Sequence, residues 1–232
     1  MSETLHIHPT APLAERVLLP GDPGRALRLA QLLLSEPKMF NHNRGLWGYT
    51  GEAMTDGQQL SIQSTGMGGP SAAIVITELV ALGARRLLRV GTCGALGPEL
   101  RLGELIVATE AVPADGTSRA LGAPERIAAT PDLLASLQHA DGELVRGPVV
   151  STDMFYDDRQ GIEQQWAAEG ALAVEMETAT LYALAAKLTV EAASLLLVSD
   201  LLHPDRVRIE PDQLQAGEAR LGAIATRALS SS

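Results

Sequence analysis

Two residue types are scarce in this sequence of 232 residues, and each scarcity excludes a class of protein. There is one cysteine, Cys93, which excludes an internal disulfide framework and leads us to expect a reducing, cytoplasmic location. The aromatic residues are two Phe, three Tyr and two Trp, so we expect a core of Leu, Val, Ile and Ala.

Basic residues and long apolar runs are also scarce. The 18 Lys and Arg stand against 28 Asp and Glu, and the formal net charge is −10. This balance argues against a nucleic acid or an anionic membrane as partner, and a few well-placed arginines would have to hold an anionic substrate. No apolar run reaches the ~18 residues of a membrane span, and the first ten residues lack the layout of a signal peptide.

Apolar periodicity and turn residues predict alternating strands and helices. We expect strands over 16–20, 85–90, 105–112, 147–152 and 194–199, a hairpin over 45–65 and helices over 24–34, 70–84, 211–229 and most of 171–188. Residues 113–127 read as an exposed loop. The pattern is typical of a single α/β domain over residues 1–232, with three layers (α/β/α) and a mixed central sheet.

Glycine and arginine occur where predicted strands end, which is what binding a phosphate requires. Gly21 and Arg25 follow the first strand, although a plain turn with a solvated arginine would look the same. Arg89 lies within an apolar run, so it needs an anionic partner, either a structural carboxylate or a bound phosphate. Thr92 follows it and adds a hydroxyl group and a backbone N–H.

Carboxylates occur at comparable places. Asp200 ends the apolar run SLLLVSD and is either a cap or a proton donor in a partly desolvated site. Glu175 and Glu177 flank Met176, and one of them could bind sugar hydroxyls while the other is structural. The sequence contains no H-E-x-x-H, C-x-x-C or G-x-G-x-x-G pattern, so we expect no metal ion and no dinucleotide.

Taken together, these segments resemble the nucleoside phosphorylase-I family, which includes bacterial purine nucleoside phosphorylases and uridine phosphorylases. The motifs appear in the family's order over nearly the whole chain: LPGDPGRA, NRGLWGYTG, TGMGGPS, RVGTCGA, VEMETA and VSD. The resemblance implies a partly barrel-like central sheet. It also implies a hexamer built as a trimer of dimers, in which a neighbouring subunit completes each active site.

The resemblance also implies a role for individual residues. Phosphate would be bound by Gly21, Arg25, Arg89 and Thr92, with Arg44 from the neighbour. Ribose would be bound by Met67, Met176 and Glu177, with His6 from the neighbour or, as an alternative, His8. The base would lie against Phe155, Glu175, Ser199 and Asp200.

Asp200 distinguishes the activities that the resemblance allows. The family's purine enzymes use this aspartate as the acid that protonates the base, so the implied reaction is phosphorolysis of a purine nucleoside, with phosphate as co-substrate and no cofactor. A uridine phosphorylase is the alternative, ahead of a nucleosidase or a non-catalytic nucleoside-binding protein. One departure concerns the arginine that assists the acid: Gln213 stands near its place, and Arg206 or Arg208 could substitute.

Overall fold

The structure is a computed structural model that describes residues 4–230. Its strands are β1 Arg16–Leu19, β2 Leu34–Asn41, β3 Gly48–Ala53, β4 Gln59–Gln63, β5 Arg86–Ala95, β6 Leu105–Ala114, β7 Ile127–Ala128, β8 Val145–Thr152, β9 Ala173–Glu175, β10 Glu191–Leu201 and β11 Val207–Arg208. Its helices are α1 Pro23–Leu33, α2 Gly69–Ala81, α3 Gly116–Ala120, α4 Pro131–Ala140, α5 Ile162–Ala168, α6 Thr178–Leu188 and α7 Pro211–Ser230.

Five strands of the mixed sheet close into a barrel. β10 pairs with both β5 and β6, and the ring continues from β6 through β8 and β9 back to β5. The remaining long strands extend from β5 in the order β1, β4, β3 and β2. The predicted mixed α/β fold with a partly barrel-like sheet is therefore confirmed. No helix within residues 4–230 is both long and apolar enough to cross a membrane.

The predicted hairpin over 45–65 is confirmed as β3 and β4, which pair antiparallel around a turn in which Gly57 has a φ of +70°. Strand β2 was not predicted. Its five middle residues are exposed and Glu36 adopts a φ of +45°, so the strand lacks the apolar alternation by which a buried strand is recognised.

Two predicted segments differ in part from the structure. Most of 171–188 is helical as predicted, since α6 covers Thr178–Leu188, but Ala173–Glu175 before it is a strand that pairs with β5 and β8. The carboxylate of Glu175 accepts the backbone N–H groups of Glu177 and Thr178, which ends the strand and starts the helix. The supposed loop 113–127 contains the end of β6 and α3, and Asp115 caps that helix from a buried position.

The strands that carry the predicted site residues lie side by side. β1 is parallel to β5, with Leu19 opposite Arg89, and β5 is parallel to β10 over most of its length. β5 continues through Ala95, five residues beyond its predicted end, so Thr92 as well as Arg89 lies within the strand. Parallel strands bring their carboxyl ends to one edge of the sheet, and the candidate site lies there.

Candidate active site

A cavity of about 430 Å³ lies at this edge of the sheet, within the range usual for small-molecule sites. Eleven of the thirteen predicted site residues line it: Gly21, Arg25, Met67, Arg89, Thr92, Phe155, Glu175, Met176, Glu177, Ser199 and Asp200. The structure thus brings together residues from six separate segments of the chain.

The loop after β1 forms one end of the cavity. Asp22 caps α1, accepting the N–H groups of Gly24 at 3.1 Å and Arg25 at 2.7 Å. The carbonyl of Gly21 accepts the N–H of Gly66 at 3.1 Å, which joins this loop to the glycine-rich segment before α2. A Cβ at Gly21 would lie 3.2 Å from the Gly66 oxygen, so glycine is what permits the close approach.

Arg25 is buried and points from the first turn of α1 into the cavity. Its Nε donates to Glu218 Oε1 at 2.7 Å, and its Nη1 makes a long contact of 3.4 Å with the carbonyl of Val90. Among the described residues, its Nη2 makes no hydrogen bond. One nitrogen of this guanidinium group is therefore available to an anion.

Arg89 is also buried, and two carboxylates bind it. Its Nε donates to Glu175 at 2.9 Å and its Nη2 contacts Glu177 at 2.5 Å. A Cβ at Gly91 would lie 2.7 Å from the guanidinium group, so glycine at 91 leaves the space for this side chain. Within residues 4–230 its Nη1 has no hydrogen-bond acceptor, and this nitrogen is likewise available.

The carboxylate of Glu175 has no solvent exposure and is the centre of this network. It accepts from Arg89, from Ser151 Oγ and from the N–H groups of Glu177 and Thr178. We expected Glu175 beside the base, but its two oxygens are already occupied by these donors. The geometry assigns it to the support of Arg89 and to the strand end instead.

Glu177 is buried between Arg89 and the glycine-rich segment before α2. It accepts the N–H of Gly68 and pairs with Arg89. Burial raises the pKa of Glu177, and the opposing effect of the Arg89 charge does not cancel the shift. Burial lowers the pKa of Arg89, but Glu177 and Glu175 outweigh it, so the pKa of Arg89 is raised and the guanidinium stays charged.

Asp200 lies at the opposite end of the cavity. Ser199 is an extra residue in β10 with respect to β5, because Val198 pairs with Cys93 while Asp200 pairs with Gly94. Such a bulge shifts the alternation of side chains by one residue and re-aims those that follow it. Asp200 Oδ2 accepts from Ser199 Oγ at 2.7 Å, and Oδ1 lies 3.1 Å from Arg206 and 3.3 Å from Arg208.

An aromatic side chain lies beside this acid. The guanidinium carbon of Arg206 is 4.5 Å from the centre of the Phe155 ring, while the same arginine pairs with Asp200. Phe155 is half exposed, so part of its ring surface is available to a planar ligand. Cys93 also lines this end, but burial raises the pKa of its thiol, so it stays protonated and is a poor nucleophile.

His6 and Arg44 do not line the cavity of their own chain. Arg44 is exposed in a 3₁₀ turn, Asn43–Gly45, and has the left-handed φ of +55°, which is unusual for a residue with a side chain. His6 is half-buried, and its Nδ1 lies 2.7 Å from Glu78 Oε1. Both lie on segments with exposed apolar neighbours, Leu5 and Trp47.

Glu218, which binds Arg25 from α7 across 193 residues of sequence, was not among the predicted site residues. Glu218 also accepts Arg28 Nη2 at 2.7 Å and is 3% exposed. One signal could have found it, because Glu218 shares a helix face with the buried Leu221, Gly222 and Ala225. An acid on an apolar face needs a cationic partner. Over residues 4–230 no group of three or more His, Cys, Asp or Glu is placed to bind a metal ion.

A family model described as the phosphorylase superfamily matches residues 15–230. The chain belongs to this superfamily. It is 41% identical over 217 residues to "Purine nucleoside phosphorylase DeoD-type" of Geobacillus kaustophilus, which covers 90% of this chain and 91% of that protein. A protein of the same name from Caldanaerobacter subterraneus is 41% identical over 197 residues, covering 82% and 84%.

Among solved structures, the fold is similar to uridine phosphorylase from Vibrio fischeri in complex with 6-hydroxy-1-naphthoic acid. The TM-score is 0.84 and the sequence identity 29%, and the match covers 95% of this chain and 93% of that one. The predicted family is therefore confirmed.

Proposed function

We propose that this superfamily member is a purine nucleoside phosphorylase. It would cleave the bond between C1′ and the base nitrogen, using phosphate as the nucleophile and releasing the free base and (deoxy)ribose 1-phosphate. The observation that carries this proposal is that Arg25 and Arg89 each keep one guanidinium nitrogen for an anion in a cavity whose other end holds Asp200. The 41% identity to DeoD-type purine nucleoside phosphorylases supports the same activity.

Phosphate would bind between the loop of Gly21 and the side chains of Arg25, Arg89 and Thr92. Backbone N–H groups at a glycine turn and two arginines are suitable donors for its oxygens. The held phosphate would attack C1′ and stabilise the positive charge that develops on the sugar as the bond to the base breaks.

Ribose would lie over Met67, Met176 and Glu177. Glu177 now pairs with Arg89 and Gly68, so binding of phosphate to Arg89 would free its carboxylate for sugar hydroxyls. Met67 is 85% exposed and Met176 half-buried, and their flexible side chains suit a surface against the sugar.

The base would lie against Phe155, with Ser199 and Asp200 at its polar edge. Asp200 would be protonated in the nucleoside complex and would give that proton to purine N7 as the electrons of the breaking bond move onto the base. The carboxylate left behind would be stabilised by Arg206, which already pairs with it, and proton transfer would become easier. In this proposal Arg206 would supply the assistance that Gln213 cannot.

We further propose that a second copy of the chain completes each site with Arg44 and His6, as the family resemblance implies. Both side chains lie outside their own cavity, and their sequence neighbours Leu5 (71% exposed) and Trp47 (37% exposed) offer apolar surface that self-association would bury. The dimer would be the functional unit, and a hexamer of three dimers its full assembly.

A direct test is to incubate the protein with inosine, adenosine, guanosine or uridine, with and without phosphate, and measure release of the base. We expect release from at least one purine nucleoside, dependent on phosphate and faster than from uridine. Equal release without phosphate would indicate a nucleosidase, and faster release from uridine a uridine phosphorylase. Binding without release would indicate a nucleoside-binding protein.

A further inference from the structure

The carboxylate of Glu78, on α2, accepts hydrogen bonds from a segment close to the start of the chain. The backbone N–H groups of three consecutive residues, Leu5, His6 and Ile7, donate to it at 3.1, 3.0 and 2.7 Å. The imidazole Nδ1 of His6 lies 2.7 Å from the same carboxylate. Glu78 therefore fixes both the backbone and the ring of one residue, His6.

This arrangement requires an ionised Glu78. Burial raises its pKa, but the hydrogen bonds from the His6 side chain and from the backbone N–H groups outweigh burial, so the pKa is lowered overall. An ionised carboxylate can only accept hydrogen bonds, so Nδ1 of His6 must carry the proton. In the neutral ring Nε2 is then unprotonated and can accept a hydrogen bond.

A second contact joins His6 to the residue that precedes Arg44. The side-chain amide of Asn43 donates to the carbonyl of His6 at 2.9 Å, and Asn43 directly precedes Arg44 in the 3₁₀ turn. Asn41 Oδ1 accepts the N–H of His8 at 3.0 Å and that of Asn43 at 3.3 Å. The two residues proposed to enter the neighbouring site are thus held as one unit.

We propose that Glu78 is a positioning residue that holds His6 with Nδ1 protonated, so that Nε2 accepts a hydrogen bond from a ribose hydroxyl in the neighbouring subunit's site. The proposal rests on the proposed function for the sugar contact. It makes Glu78 part of the active site although it lies outside the cavity of its own chain. His8, the alternative, donates its backbone N–H to Asn41, and its ring Nε2 lies 3.2 Å from the carbonyl of Leu5.

The first test measures the tautomer of His6 in the full, ligand-free protein by nitrogen NMR of labelled histidine. We expect a protonated Nδ1 in the native protein and in Glu78→Gln, whose amide oxygen still accepts, and loss of this preference in Glu78→Ala. His139, on α4, is the internal reference. An unprotonated Nδ1 in the native protein, or an unchanged tautomer in Glu78→Ala, would overturn the proposal.

The second test compares kcat/KM for inosine with that for its 2′-, 3′- and 5′-deoxy analogues. Glu78→Ala should lower the value for inosine about tenfold and that for one deoxy analogue less than threefold, because that analogue lacks the hydroxyl that Nε2 binds. Glu78→Gln should recover only part of the loss, because its amide oxygen still accepts from Nδ1 while its NH2 group cannot accept the N–H groups of His6 and Ile7. Equal losses on all four substrates would assign Glu78 a merely structural role and overturn the proposal.

Subunit mixing locates the effect. Glu78→Ala mixed with Arg89→Ala should regain activity, because one site of each mixed pair has native Glu78 on one chain and native Arg89 on the other. Glu78→Ala mixed with Arg44→Ala should not, because both changes lie on the contributing chain, and recovery there would overturn the proposal. If the native protein turns over none of the nucleosides, the proposed function is contradicted. The NMR result does not depend on turnover, so it tests the role of Glu78 separately.

Discussion

Arg16 and Arg89 are both buried arginines that bind carboxylates, but their hydrogen-bond partners differ. Arg16 makes a bidentate pair with Asp56 at 2.6 and 2.7 Å, and the remaining donors contact the carbonyls of Gln58 and Gln59 and the hydroxyl of Ser230. Arg89 faces two carboxylates, Glu175 and Glu177, and still has one nitrogen without an acceptor among the described residues. Every nitrogen of Arg16 therefore has a hydrogen-bond partner, whereas one nitrogen of Arg89 has none within the described part of the chain.

The pKa shifts of the carboxylates differ in the same way. The hydrogen bonds from Arg16 lower the pKa of Asp56 well below its usual range. Burial raises the pKa of Glu177 although Arg89 is in contact with it. The Arg16 cluster stabilises the ionised form of its carboxylate. In the Arg89 cluster, burial disfavours the ionised form of Glu177, and a ligand could relieve this cost.

The largest effect should come from Arg89→Ala, which removes a proposed ligand of phosphate and, with it, the proposed stabilisation of the charge on the sugar. We expect kcat/KM to fall about 10²–10³-fold, as when one charge-stabilising donor is lost. Steady-state assays on inosine with varied phosphate would measure it. Arg16→Ala is the matched control, and it should lower stability while the folded fraction keeps its turnover. Similar activity losses in both variants would contradict the comparison.

Asp200→Asn should come next, with inosine turnover about 10²-fold lower or more, since general acid catalysis contributes ~10²–10⁴-fold. The change keeps the shape but removes the transferable proton. A base that already carries positive charge needs no protonation, so 7-methylguanosine cleavage should be nearly unchanged. If both substrates slow equally, Asp200 has a structural role.

Asp56→Asn should lower the free energy of unfolding by about 2 kcal/mol, because the charge-assisted pair with buried Arg16 is lost. Urea unfolding would measure it. The control is Glu110→Gln, which breaks the half-exposed pair with Arg126 and should cost less than about 1 kcal/mol. Equal costs would mean that Arg16 and Asp56 contribute no more than a surface pair.

Arg206→Gln should lower purine turnover about tenfold, less than Asp200→Asn, because Arg206 stabilises the carboxylate but transfers no proton. Arg208 also reaches Asp200 and is 74% exposed on its side chain, so Arg208→Gln should change the rate less than threefold. The opposite ranking would assign the assisting role to Arg208.

Much of this fold could be predicted because local signals agree with it, including the Asp56–Gly57 turn of the hairpin and the apolar runs around Arg89. The partners of the arginines could not be predicted in the same way. Glu218 reaches Arg25 across 193 residues, and the bulge at Ser199 depends on the pairing of β10 with β5. The order of the motifs predicted which residues meet in the cavity. The structure adds which carboxylates already pair with the arginines there.

The smallest effect, and the most direct test of the two clusters, is the pH dependence of stability. The folded pKa of Asp56 is lowered, so its stabilisation is complete above the unfolded pKa of about 3.9 and is lost as the pH falls towards the folded value. The folded pKa of Glu177 is raised, so the carboxyl group destabilises the fold increasingly as the pH rises from its unfolded pKa of about 4.3 through the folded value.

The two neutral variants should therefore change stability with opposite dependence on pH. Asp56→Asn should flatten the acid limb, with its deficit shrinking as the pH falls. Glu177→Gln, which resembles the protonated acid, should gain stability relative to the native protein as the pH rises, by a small amount because Arg89 offsets part of the burial cost. Urea unfolding between pH 3 and pH 8 would measure both. If Glu177→Gln instead loses stability with rising pH, the Arg89 cluster is as satisfied as the Arg16 cluster, and the site has no carboxylate for a ligand to relieve.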